Sequence, residues 1–261
     1  MPPFISLSLI FVLGISLVYM VYKAGRWKRP TGNDFNPDWR KFLEENIDFY
    51  QKLDNTGRKR FEYKISEFLG NVMITGIKTD VQDTDRLLVA ASAVIPIFNF
   101  PKWQYKNLKE VLLYPSHFGY NFALEGDDRS VLGMVGNGYM EGKMILSRPS
   151  LIHGFKNEKD KNNTAIHEFI HLIDKADGVI DGIPSLLLEK QYVIPWLQLM
   201  EAEIKKIHEG KSDLKPYGGT NRMEFFAVLG EYFFEHPQQL EKKHPELFDL
   251  LTRIFDTESK A

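Results

Sequence analysis

Three residues near the middle of the chain have the types and the spacing of a metal-dependent hydrolase. His167, Glu168 and His171 form an HExxH motif. On a helix, side chains four positions apart lie on one face, so both imidazoles can bind a single metal ion. Zinc lowers the pKa of a bound water to about 7, and the neighbouring carboxylate can take up its proton. The motif therefore predicts a zinc-dependent metallopeptidase in which Glu168 acts as general base and then general acid.

The competing interpretation is a chance pattern, with two surface histidines on an amphipathic helix. The residues around the motif argue against it, because the segment from Asn162 to Ala176 is predicted to be helical with an apolar stripe. Ile166, Phe169 and Ile170 are bulky and apolar, and they would shield a site on this helix from water. The sequence thus favours a buried site.

A catalytic zinc site needs a third protein ligand, and the sequence alone leaves several choices open. Asp177 lies six residues after the second histidine, where one group of zinc peptidases has a ligand. However, Asp174 replaces the glycine that turns the chain in that group. A second predicted helix, NRMEFFAVLGEYFFEHP (221–237), offers three carboxylates: Glu224, Glu231 and Glu235. A carboxylate among so many aromatic residues is costly to bury unless it binds a metal or a proton, although these glutamates could also line a polar face.

The elements around the motif predict an α+β domain that is mostly helical, with one small mixed sheet. Strand LKEVLLYP (108–115) ends at a proline, and the segment 131–150 has two apolar stretches around a glycine-rich centre, which indicates a hairpin or a pair of edge strands. We expect strand 143–148 to lie at the edge of the sheet. The helices are predicted at about 38–53, 59–69, 83–94, 162–176, 185–208, 221–234 and 245–255.

Length and composition exclude several classes of protein. The chain has 261 residues, a hydrophobic fraction of 43% and a net charge of -2. Such a chain can bury a large core, and it lacks the basic excess that is typical of nucleic-acid-binding proteins. Since the chain has no cysteine, disulfides, a cysteine-ligated zinc site and a cysteine nucleophile are excluded.

The first thirty residues differ from the rest. The segment from Phe4 to Tyr22 has no charged residue, and as a helix it would be roughly 28 Å long, close to the thickness of a bilayer core. A basic cluster follows the segment rather than preceding it, which favours a permanent anchor over a cleaved signal peptide. The sequence therefore predicts a single-pass membrane protein, with an anchor in residues 1–30 and a cytoplasmic peptidase domain in residues 31–261.

Two long segments resemble the Mlc titration factor A family of zinc peptidases. They are NTAIHEFIHLIDKADGVIDGIP (163–184) and YGGTNRMEFFAVLGEYFFEHP (217–237), and the upstream stretches LLVAASAVIPI (87–97) and VLLYPSHF (111–118) are also similar. The resemblance implies a zincin-like fold and a metallopeptidase with aminopeptidase activity. It implies that Glu224 is the third zinc ligand beside His167 and His171. It also implies that the Tyr217 hydroxyl lies near the metal, where it could donate a hydrogen bond to the oxyanion of the tetrahedral intermediate.

The same resemblance implies two kinds of partner. One is a peptide or protein substrate. The other is a transcriptional regulator, because the family also implies sequestration of the repressor Mlc. The alternative function is therefore a protein-binding regulator with weak or vestigial peptidase activity.

Overall fold

Helices make up most of the described chain, and a small sheet lies among them. The computed structural model describes residues 35–122, 124, 130–156 and 162–255. The helices are α1 (Pro37–Asn46), α2 (Asp48–Gln51), α3 (Asn55–Asn71), α4 (Asp83–Val94), α5 (Arg148–Lys156), α6 (Thr164–Asp174), α7 (Val193–His208), α8 (Arg222–Glu235), α9 (Pro237–Lys243) and α10 (Pro245–Phe255). The strands are β1 (Met73–Gly76), β2 (Glu110–Tyr114), β3 (Gly133–Val135) and β4 (Lys143–Ser147). The prediction of a mostly helical α+β chain is confirmed.

The sheet is mixed, with the strand order β1-β2-β4-β3. β1, β2 and β4 run parallel, and Val111 of β2 is paired with Ile74 on one side and Met144 on the other. β3 runs antiparallel to β4 and forms the edge of the sheet, with Met134 opposite Ile145. The hairpin prediction is confirmed, but β4 is an inner strand. The expectation that it lies at the edge was wrong, because β2 pairs along its other side.

Helix α6 lies at the centre of the core. Phe169, on its apolar face, is fully buried, and its ring lies 5.7 Å from that of Phe68 in α3 and 5.1 Å from that of Tyr105. Burial of large aromatic side chains contributes strongly to core stability. This packing fixes one face of α6 against the α3 side of the molecule, and it leaves the opposite face to form a site.

Asparagine side chains cap the first turns of α6 and α8. Asn163 Oδ1 accepts a hydrogen bond from the Ile166 N–H at 3.1 Å at the start of α6, and Asn221 Oδ1 accepts one from the Glu224 N–H at 2.9 Å at the start of α8. Each bond satisfies one of the free N–H groups of a first helical turn. These caps lie within one residue of the starts predicted for the two helices, residues 162 and 221.

One predicted helix is shorter than expected. Residues 185–189 form turns and irregular chain, Lys190–Tyr192 form a short 3-10 helix, and α7 begins at Val193. Pro195 lies in the first turn of α7, where the missing N–H of proline breaks no helical hydrogen bond. The helix predicted from residue 185 was therefore wrong over its first eight positions.

The sequence prediction of a single-pass membrane protein is corrected by the structure. Over the described ranges, we find no helix with the length and apolar character needed to cross a membrane. The long helices α3 and α7 have 17 and 16 residues and carry charged side chains, whereas a membrane span needs about 20 mainly apolar residues. The segment on which the prediction rested, Phe4–Tyr22, lies outside the described residues, as does the division between residues 1–30 and 31–261.

Candidate metal centre

Helices α6 and α8 bring two imidazoles and a carboxylate together. His167 Nε2 and His171 Nε2 are 3.1 Å apart, and Glu224 Oε2 lies 2.9 Å from the former and 3.3 Å from the latter. The three ligand atoms lie within 4.8 Å of one another. Both histidines are buried and Glu224 is half-buried. Three convergent donor atoms of this kind, two imidazole nitrogens and one carboxylate oxygen, match the donor set of a catalytic zinc site.

A close contact between the two helices sets the distance between their side chains. Gly230 of α8 packs on Ile170 of α6, and a Cβ atom at Gly230 would lie 2.8 Å from Ile170 Cδ1. Because carbon atoms do not approach so closely, a side chain at Gly230 would displace the end of the Ile170 side chain or separate the helices. The glycine therefore favours the close crossing of α6 and α8, the helices that carry the histidines and Glu224.

Glu231 holds the outer side of the His167 ring. Its Oε1 atom lies 2.6 Å from His167 Nδ1, while Oε2 accepts hydrogen bonds from the Asn163 N–H at 3.1 Å and from Lys215 Nζ at 2.7 Å. A carboxylate on Nδ1 fixes the ring orientation and leaves Nε2 directed into the site. Burial would lower the pKa of His167, but its bonds to Glu224 and Glu231 outweigh burial and raise it to about 10.

Glu168 lies next to these residues, beneath the edge strand. Its side chain is buried, and burial raises its pKa from the usual value. Gly133 of β3 covers it so closely that a Cβ atom there would lie 2.8 Å from Glu168 Cγ and 2.9 Å from Oε1. The edge strand therefore passes directly over the carboxylate, and Gly133 leaves room for it.

Tyr217 lies at the mouth of the site, on the short 3-10 helix Pro216–Gly219. Its ring centre is 5.9 Å from that of His167, and the residue is 54% exposed. Burial of the hydroxyl and the adjacent Glu224 carboxylate raise its pKa above the usual value. An exposed phenol next to two convergent histidines is placed to contact a molecule that enters the site.

A network on the far side of α8 holds the loop that carries Tyr217. Asp213 accepts hydrogen bonds from the Tyr232 hydroxyl at 2.9 Å and from Lys243 Nζ at 2.8 Å, and its Oδ1 atom lies 2.7 Å from His244 Nε2. Tyr232 follows Glu231 on α8, and Glu231 is bonded to Lys215 of the same loop. Two residues of the loop, Asp213 and Lys215, are therefore bonded to α8. The sequence analysis missed this network, because its members are up to 31 positions apart and share no motif.

His167, His171 and Glu224 line a cavity of about 590 Å³. Its walls include the edge strand β3, the start of α6 and the Tyr217 loop. Apolar side chains contribute much of this lining: Leu132, Met134, Val135, Ile180, Met223 and Val228. An apolar cleft with a few convergent polar groups is the usual form of a substrate site.

Other residues considered in the sequence analysis lie elsewhere. Asp177 Oδ1 accepts a hydrogen bond from the Val179 N–H at 3.0 Å and does not join the histidines. Asp174 Oδ2 accepts one from the Gly182 N–H at 2.8 Å, so it holds the following loop. Burial raises the Asp174 pKa to about 6.

The site is rich in negative charge. Glu168, Glu224 and Glu231 surround the two imidazoles, and Lys215 is the cation in contact with Glu231. Such a cluster of carboxylates favours a bound cation, and the donor atoms are those that zinc prefers. The residues present therefore fit a metal cofactor.

Comparison with known proteins agrees with this geometry. Residues 22–256 match the family described as glucose-regulated metallo-peptidase M90. The chain is 28% identical over 232 residues to an uncharacterized protein, slr2042, of Synechocystis sp.. This alignment covers 84% of this chain and 83% of that protein. It is 25% identical over 249 residues to Mlc titration factor A of Escherichia fergusonii, an alignment that covers 88% of this chain and 89% of that protein. It is 26% identical over 175 residues to Mlc titration factor A of Pectobacterium atrosepticum, with 62% of this chain and 64% of that protein covered.

Proposed function

Because this chain belongs to the glucose-regulated metallo-peptidase M90 family, we propose that it is a zinc peptidase with a zincin-like catalytic domain. His167, His171 and Glu224 would hold the zinc ion. The observation that carries the proposal is the convergence of their three ligand atoms within 4.8 Å of one another at the base of an apolar cleft. The resemblance of the motifs in 163–184 and 217–237 supports the same ligand set.

Each residue of the site has a distinct task in the proposed reaction. When bound, zinc would supply a Lewis acid that activates water and polarises the peptide carbonyl. Glu168 takes a proton from the attacking water at its carboxylate and returns it to the leaving amine nitrogen. The Tyr217 hydroxyl donates a hydrogen bond to the oxyanion that develops on the substrate. Glu231 keeps the His167 ring oriented through Nδ1.

The proposal is tested by metal removal and restoration on the full chain. Activity towards a panel of short peptides should disappear after treatment with a chelator and return with about one equivalent of zinc, but not with magnesium, which prefers oxygen ligands. Peptides with free and acetylated N-termini, compared side by side, test whether the activity is that of an aminopeptidase. Hydrolysis that survives complete metal removal would refute the proposal.

Replacing Tyr217 with phenylalanine is expected to reduce kcat on the order of 10²-fold, because loss of one oxyanion donor has an effect of that size. Zinc content and thermal stability should remain unchanged, since the tyrosine is 54% exposed. Steady-state kinetics on a peptide substrate measures the effect. Tyr63→Phe is the matched control, because Tyr63 lies on α3 with a similar exposure of 57%, and it should retain full activity. An unchanged kcat in Tyr217→Phe would remove this residue from the mechanism.

A second function is supported by the names of the relatives. Several of them are titration factors for Mlc, and this chain could likewise bind a transcriptional repressor. The two functions separate in a pull-down with purified Mlc and the Glu168→Gln variant. If Glu168→Gln binds Mlc without hydrolysing peptides, the result supports a regulator. If neither the wild type nor Glu168→Gln binds Mlc, only the peptidase proposal remains.

A further inference from the structure

Lys215 lies two contacts away from the candidate ligand atoms. Its Nζ atom donates a hydrogen bond of 2.7 Å to Glu231 Oε2, and the other oxygen of that carboxylate, Oε1, lies 2.6 Å from His167 Nδ1. The second ring nitrogen of His167, Nε2, faces Glu224 and His171 and is one of the three convergent donor atoms. A continuous series of contacts therefore runs from the ammonium of Lys215 to a nitrogen of the metal centre.

The carboxylate in the middle of this series needs a positive partner. Glu231 is 4% exposed, and a carboxylate is costly to bury unless a cation and hydrogen bonds compensate its charge. A histidine that binds a metal through Nε2 is neutral, so His167 would then offer Glu231 a hydrogen bond but no charge. Among the residues that the structure describes, Lys215 is the lysine that forms an ion pair with Glu231. The ammonium therefore supplies the charge that keeps this carboxylate in place.

The backbone around Lys215 fixes the direction from which the lysine approaches. Lys215 precedes Pro216, and its ψ of 139° is the extended conformation that a residue before proline prefers. Its carbonyl oxygen accepts a hydrogen bond of 2.9 Å from the Gly218 N–H, and the preceding residue, Leu214, is buried. The lysine side chain itself is only 24% exposed. Lys215 is therefore held by its surroundings at the position where it meets Glu231.

We propose that Lys215 is a positioning residue of the metal centre, which holds Glu231 against His167 Nδ1 and so raises the affinity of the site for zinc. The inference rests on the zinc site of the proposed function. Loss of a group that orients a histidine ligand weakens metal binding by about 10- to 100-fold. Lys215 lies one contact further from the metal than such a group, so we expect the lower end of this range. If Lys215 only fastened the loop that carries Tyr217, zinc affinity would not depend on it.

The zinc affinity of the full chain, measured by competition with a zinc-binding dye, tests the proposal without a peptide substrate. Lys215→Met should bind zinc about tenfold more weakly than the wild type. Lys215→Arg should recover most of the affinity, because a guanidinium keeps the positive charge and the N–H donors. The matched control is Lys243→Met, since Lys243 Nζ holds the same loop at 2.8 Å through Asp213 rather than through Glu231. Its zinc affinity should equal that of the wild type.

A double-mutant cycle tests whether Lys215 acts through Glu231. Glu231→Gln should itself weaken zinc binding by about 10- to 100-fold. Adding Lys215→Met to Glu231→Gln should then have little further effect, because the carboxylate that the lysine holds is already gone. Lys215→Gln, which also removes the charge, replaces Lys215→Met if that variant does not fold by circular dichroism, and it should likewise weaken zinc binding.

Three results would overturn the proposal. One is wild-type zinc affinity in a correctly folded Lys215→Met or Lys215→Gln variant. Another is an equal loss of affinity in Lys243→Met, which would show that attachment of the loop sets the affinity. The third is additive effects of Lys215→Met and Glu231→Gln. Each of these leaves the zinc site of the proposed function intact, whereas a wild-type chain that binds no zinc refutes the proposed function and the role of Lys215 together.

Discussion

Replacing Glu168 with glutamine is expected to abolish peptide hydrolysis while leaving the bound metal in place. Loss of a general acid–base group reduces rates by about 10²- to 10⁴-fold, and Glu168 has both roles in the proposed reaction. Glutamine has nearly the same shape, so it fits beneath Gly133 where the glutamate lies. The measurement is kcat/KM on a peptide substrate, together with zinc content by elemental analysis of the same sample.

The control for this experiment is Glu241→Gln, an exposed carboxylate on α9, which should match the wild type in both measurements. Residual hydrolysis close to the wild-type rate would show that another group carries the proton, and the proposed role of Glu168 would be abandoned. Loss of zinc together with activity would instead indicate that Glu168 supports the metal centre rather than the chemistry.

The second large effect is expected from the ligands. His167→Ala, His171→Ala and Glu224→Ala should each weaken zinc binding by more than about 100-fold, since even residues that only support a ligand account for 10- to 100-fold. As purified, the wild type should contain one zinc per chain, and each variant close to none. Activity should fall to background in all three variants, because the proposed reaction needs the metal.

Glu241→Ala is the control for Glu224→Ala, since it removes a carboxylate that lies on the surface. Retention of zinc by Glu224→Ala, with loss in both histidine variants, would show that Glu224 is not the third ligand, and the proposed ligand set would be abandoned. If the wild-type chain takes up no zinc even after reconstitution, the proposal of a zinc peptidase is contradicted. The proposed role as a protein-binding regulator would then remain.

Local signals account for the parts of the site that the sequence could predict. The spacing of His167 and His171 places both on one face of a helix. Asn163 and Asn221 cap the two helices, because each side chain accepts a hydrogen bond from a backbone N–H of the first turn. Glu224 could not be chosen from spacing alone, because Glu231 lies two turns further along the same helix. The resemblance favoured Glu224, and the structure brings its carboxylate to the histidines.

Contacts between distant segments account for what the sequence did not predict. Strand β1 is four residues long and has no alternating pattern of its own, so it depends on its pairing with β2. The Asp213 network and the bond from Lys215 to Glu231 join residues without a shared motif. Residues 185–189 have a helix-like composition, but they form turns and irregular chain, and Lys190–Tyr192 form only a 3-10 helix before α7.

The close crossing of α6 and α8 at Gly230 has a thermodynamic consequence. The three donor atoms converge only when both helices are docked, because His167 and Glu224 are 57 positions apart in the chain. A metal that binds there binds the native state and hardly binds the unfolded one, so it acts as a reversible cross-link. By mass action, each tenfold rise in free metal above its dissociation constant adds about 1.4 kcal/mol to the free energy of unfolding. The melting temperature of the chain should therefore depend on free metal concentration, and resistance to denaturation would vary with the metal supply of the cell.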